Sequence, residues 1–135
     1  LDTAMSLQIQ QAGELILQDL HDLQKTVKKM IREHAGTLCL GRTHGMAAEP
    51  TTFGFKLAGF YSELIRCEEK WLAALEANRI CKLSGAVGTF SSLPEIMENR
   101  VAVDLGLKSE PFATQVIPRD RHAQVITGLA FILSA

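Results

Sequence analysis

At 135 residues the chain has room for one domain, which would bury roughly two thirds of the surface its unfolded form exposes. Fourteen basic residues against fifteen acidic ones give a net charge of -1, and no Lys/Arg run is interleaved with aromatics, so nucleic acid is excluded as a natural partner. No apolar stretch reaches the ~20 residues a bilayer span needs, and the first residues lack a basic-then-apolar leader pattern; the expectation is a cytoplasmic protein with no membrane partner.

In chain order, apolar residues first recur at Met5, Ile9, Ala12, Ile16, Leu20, Leu23, Val27 and Met30, in steps of three and four. This predicts one amphipathic helix from Asp2 to about Glu33. At 1.5 Å per residue it runs nearly ~50 Å, more than a small domain can cover, so its stripe is expected to pack in an extended bundle, across subunits.

Gly41-Arg42-Thr43-His44-Gly45 follows, then Ala47-Ala48-Glu49-Pro50-Thr51-Thr52-Phe53-Gly54. Gly45 permits a tight turn and Pro50 suits the first turn of a helix, so His44 is expected in a connector, close to the positive end of the next helix dipole. Histidine exchanges a proton near neutral pH, which makes this position a candidate general acid or base; the plain alternative is a histidine that hydrogen-bonds its own loop.

The second helix is predicted to start near Pro50, with Phe53, Leu57, Phe60, Leu64, Cys67, Trp71 and Leu75 on its core face, and to fade by Arg79. Gly85-Ala86-Val87-Gly88-Thr89 reads as a small-residue turn. It has no phosphate-loop lysine, and it either packs closely or lets backbone approach a ligand. A short helix from about Pro94 to Leu105 stops at Gly106, and a loop through Pro111 and Pro118 leads to a last helix from about Arg119. No strand alternation is evident, so the class is all-α, a long-helix bundle. Both ends fall inside or beside helical patterns without caps, and residues 1–135 are therefore read as a single fragment of a longer helical-bundle domain.

Cys39, Cys67 and Cys81 are odd in number and widely spaced, which argues for buried or partly buried thiols and against a disulfide framework or zinc site. The four histidines show no metal-ligand spacing, and neither metal nor cofactor is expected. Thr114-Gln115-Val116-Ile117-Pro118-Arg119-Asp120-Arg121-His122 concentrates hydrogen-bonding groups at a helix N-terminus, where anion or amide recognition would fit. The plain alternative is that Asp120 favours the helix start while Arg119 and Arg121 make surface pairs.

Together these segments resemble the adenylosuccinate lyase family of the fumarase/aspartase superfamily. The resemblance rests on Gly41 to Gly45 with Ala48 to Gly54, on Ser84 to Thr89, and on Thr114-Gln115 through Arg119 to Ala123. These stand in the family's order and approximate spacing, with Asp2-Thr3-Ala4 like the segment after its Ser-Ser-Asp stretch. It implies a purine-biosynthesis enzyme that eliminates fumarate from adenylosuccinate, giving AMP, and from the succinyl-carboxamide ribotide. It further implies small-molecule substrates, no cofactor and a homotetramer whose sites draw on three subunits. His44 would be catalytic, protonating the departing nitrogen; Thr43 and Gln115 would bind substrate. Arg119, Asp120 and Arg121 fall in the motif without individual roles. The family's signature loop, which carries the base, is not in these residues, so the fragment alone is expected to be inactive. Alternatives are a helical oligomerisation fragment without activity, or a sister lyase such as argininosuccinate lyase.

Overall fold

The computed structural model describes all 135 residues. Four helices carry most of them: α1 (Asp2–Glu33), α2 (Phe53–Ala77), α3 (Glu95–Asp104) and α4 (Asp120–Ser134). Strands β1 (Leu38–Thr43) and β2 (Met46–Thr52) join α1 to α2, and β3 (Ile80–Cys81) pairs in parallel with β4 (Lys108–Ser109). Helices α1 and α2 pack along one another, and α4 packs against α2.

The helical reading holds, but the absence of strands does not. Residues 38–52 form an antiparallel hairpin, with Leu40 opposite Pro50 and a bulge between Leu40 and Arg42. None of its strand residues is buried and most are exposed, so neither face needs to be apolar and no alternation is written into the sequence. Pro50 therefore sits in a strand rather than in a helix, where a strand of an isolated two-stranded hairpin can tolerate its missing N–H. Helix α2 starts at Phe53, capped by the Thr52 hydroxyl, which accepts from the Phe55 N–H at 3.2 Å.

The core is the seam between α1, α2 and α4. Trp71, Ala74, Leu75 and Val125 form its centre, with Ile9, Ile16 and Leu17 of α1 packed against them. The predicted face of α2 is buried at Leu57, Leu64, Cys67, Trp71 and Leu75, while Phe60 is exposed. The predicted stripe of α1 coincides with its buried face only in part. Ser6, Gly13, Leu20 and Gln24 are buried, whereas Leu23 is half exposed. Gly13 is buried because the Leu75 side chain occupies the space a Cβ would need, and its carbonyl accepts from the Trp71 indole at 3.3 Å. Ser6 donates to the Asn78 carbonyl, and Gln24 donates to Glu68 at 2.7 Å, so these two buried polar side chains of α1 are paired.

The three cysteines are free, Cys67 and Cys81 buried and Cys39 partly so, as their spacing indicated. Burial pushes the Cys81 thiol up, with Glu98 acting in the same direction, against a hydrogen bond from Thr3.

Only 23 residues are buried, and 9036 Å² of surface remains accessible. A compact monomer of this mass exposes about 7,000 Å². The excess lies partly in apolar side chains such as Leu15, Leu38, Met46, Phe55, Ile126 and Leu133.

Candidate active site

Thr43 and His44 occupy the tip of the hairpin. Thr43 pairs with Met46, which leaves His44 and Gly45 as a two-residue turn with φ of 51° and 74°. Both angles are positive, as a type I′ hairpin turn requires. Gly45 meets this freely, whereas His44 pays a backbone cost of about 1 kcal/mol to stand there. The imidazole is exposed, and the ring hydrogen bonds of the chain belong to His21, His34 and His122. The loop-bonding alternative for His44 therefore fails. The helix-dipole argument fails as well: β2 separates the tip from the start of α2 by seven residues, roughly 20 Å of strand.

The other two motifs meet at the opposite end of α1. The 84–89 turn lies under the 113–115 segment: Gly88, at φ +79°, sits so close to the Ala113 carbonyl that a Cβ would collide with it. The close-packing reading of that turn is thus correct at Gly88. Gln115 is exposed and lines a cleft of about 410 Å³ with Leu1, Asp2, Lys82, Leu83, Gly85 and Val116.

Asp2, at the first turn of α1, clamps this end together. Its buried carboxylate accepts from the Ile117 N–H at 3.0 Å and pairs with Arg119 at 3.5 Å. Arg119 in turn donates to His122 Nδ1 at 3.2 Å. Arg121 donates to the Ala77 carbonyl at 2.6 Å and pairs with the buried Glu110 at 2.5 Å. Arg119 and Arg121 are therefore not making surface pairs; each holds a buried carboxylate and fixes the loop that carries Gln115. No sequence signal marks Asp2 for this role, because its partner Ile117 lies 115 positions away.

Burial of Asp2 opposes ionisation, but the Ile117 N–H, the charge and hydrogen bond of Arg119, and His122 outweigh it and hold the carboxyl below the usual range. A carboxylate lowered in the folded state stabilises it above the unfolded pKa, and that contribution is lost as pH falls through the folded value. The 117–119 loop is accordingly expected to loosen below about pH 4. An acid titration of the Ile117 amide signal checks this: it should shift in the wild type and not in Asp2→Asn, and identical titrations would exclude Asp2 as the clamp.

His44 and Gln115 thus stand at opposite ends of a 32-residue helix, about 45 Å of α1 apart. His44 offers an exposed proton donor on a rigid tip, and the Gln115 end offers a polar cleft. Within one chain they do not meet.

Comparison with known proteins identifies the family. A family described as lyase matches residues 1–134. The chain is similar to the adenylosuccinate lyase of Aquifex aeolicus (46% identical, covering 99% of the chain and 31% of that protein) and to that of Bacillus subtilis (42%, with the same coverage). Its fold matches the crystal structure of a fumarate lyase from Mesorhizobium sp. BNC1 with a TM-score of 0.86 and 30% identity, over 97% of this chain and 31% of that one. A 3-carboxy-cis,cis-muconate lactonizing enzyme from Pseudomonas putida matches with a TM-score of 0.85 and 28% identity, over 97% and 30%. The chain spans about a third of the length of these relatives. With the family matched along almost all of its residues and the long-helix fold shared, the chain belongs to the lyase family.

Proposed function

We propose that the chain is part of the central helical bundle of an adenylosuccinate lyase, and that the whole protein eliminates fumarate from adenylosuccinate and from the succinyl-carboxamide ribotide. The observation that carries the reading is His44, an exposed imidazole without protein partners on a rigid hairpin tip, in a chain 38–46% identical to five adenylosuccinate lyases. Its two solved lyase and lactonizing neighbours stand at 28–30% identity, which favours this substrate over those of a sister enzyme.

In the elimination a base removes a proton from the carbon beside the C–N carbon, and the electron pair is held on the neighbouring carboxylate as an aci form. The pair then closes the double bond of fumarate while the C–N bond breaks. The nitrogen leaves with the bonding pair and takes a proton from the His44 imidazole. Thr43, next to it on the tip, orients the substrate, and Gln115 donates or accepts a hydrogen bond at the far wall. The base comes from the family's signature loop, as the resemblance implies. No cofactor takes part.

A substrate that must touch both His44 and Gln115 cannot do so within one chain, so the proposed site is composite; the homotetramer is what the resemblance implies, and the proposed place of action is the cytoplasm. The test is elimination by the full-length protein, followed as the absorbance change on adenylosuccinate; a folded protein with no turnover overturns the reading. Mixing then probes the composite site. His44→Asn and Gln115→Ala proteins, each nearly inactive, should regain about a quarter of the wild-type sites when refolded together, because a random assembly pairs an intact His44 with an intact Gln115 that often. No recovery on mixing would place both residues in one chain's site.

A further inference from the structure

We propose that Lys82 and the free backbone N–H groups of the 84–89 turn form an anion-binding wall of the Gln115 cleft, which receives a carboxylate or phosphate oxygen of the substrate. The inference rests on the functional reading above for the identity of the substrate, and on the geometry alone for the anion.

Lys82 is the one basic side chain lining the cleft, and it is half-buried. Its ammonium donates to the Gly85 carbonyl, a neutral acceptor, and none of the chain's ion pairs includes it. The cleft's own acid, Asp2, is already engaged by Ile117 and Arg119. A partly desolvated ammonium with two free protons and no counter-ion is a standing demand for an anion.

A second observation is independent of the lysine. None of the backbone N–H groups from Ser84 to Thr89 finds an acceptor within the chain, although those on either side, Lys82, Leu83 and Phe90, all do. Gly85 and Gly88 adopt positive φ, and Gly85 has no Cβ to cover the backbone where it lines the cleft. Successive unpaired N–H groups in such a turn form a concave donor array suited to an oxyanion. Gly85 of this turn lines the cleft together with Lys82 and Gln115, so the ammonium, the start of the N–H array and Gln115 border one space.

Adenylosuccinate offers two kinds of anion, the dicarboxylate end and the phosphate, and product probes separate them. In the full-length protein, binding of fumarate, AMP and inorganic phosphate is measured by calorimetry for wild type, Lys82→Met and Lys82→Arg. The expected result is a loss of about tenfold or more for one class of probe in Lys82→Met, partly restored in Lys82→Arg, with thermal melting unchanged. Weakened fumarate binding with AMP unaffected assigns the wall to the carboxylates; weakened AMP and phosphate binding assigns it to the phosphate. Equal affinities of wild type and Lys82→Met for all three probes overturn the proposal. Because the probes are bound, not turned over, a wild type that binds them but leaves adenylosuccinate intact defeats the functional reading and not the anion wall.

Discussion

Replacing His44 by Asn in the full-length protein should lower kcat for adenylosuccinate by about 10²- to 10⁴-fold, the usual contribution of a positioned proton donor. Asn is the informative choice because the position has φ of 51°. Asn tolerates the left-handed region as well as histidine does, so the hairpin and the assembly should survive, while an amide cannot deliver a proton. Ala should abolish turnover too, but it also leaves a less suitable side chain on a strained tip. Oligomeric state and thermal melting separate loss of chemistry from loss of shape: His44→Asn should keep both at their wild-type values. An unchanged oligomeric state with near-normal kcat would remove His44 from the mechanism.

Much of this architecture can be read from residues alone, and the exceptions share a cause. The periodicity of α2 is legible because that helix buries a continuous apolar face, with Trp71, Leu64 and Leu75 where the spacing puts them, whereas the buried face of α1 runs through Ser6, Gly13 and Gln24 and escapes an apolar count. The hairpin is illegible because it is solvated on both sides: Pro50 and Gly41 argue against a strand, and only the two positive-φ residues at its tip announce it. Gly41 is admitted there because a Cβ would press on the Glu49 carbonyl at 2.7 Å. The candidate site suffers differently. His44, Thr43 and Gln115 can be picked from motifs, yet their separation by the length of α1 is a property of topology, and no local pattern encodes it. Arg119 and Arg121 look like surface charges until their partners, Asp2 and Glu110, prove to be buried.

Gly88 is where fold and site depend on each other most directly, and Gly88→Ala should be the most disruptive single methyl that can be added to the chain. Two costs coincide there. The first is conformational: an alanine at φ +79° pays about 1 kcal/mol for the left-handed region. The second is steric, since the new Cβ would collide with the Ala113 carbonyl, which is backbone and cannot swing aside as a side chain could. Relieving the collision means moving the 113–115 segment, and overpacking of this kind costs typically 1–3 kcal/mol more. Gly106 supplies the control. It also has positive φ, +66°, but a Cβ there meets nothing within 4 Å, so Gly106→Ala should show the first cost alone. The two variants should therefore differ in stability by the steric part, and only Gly88→Ala should raise KM, because Gln115 rides on the displaced segment two residues beyond Ala113. Equal destabilisation with equal KM would show that the 84–89 turn does not hold the Gln115 loop. A raised KM with unchanged kcat would place the damage in substrate binding, and a fall in kcat alone would mean that the shifted loop also disturbs the partner copy's His44.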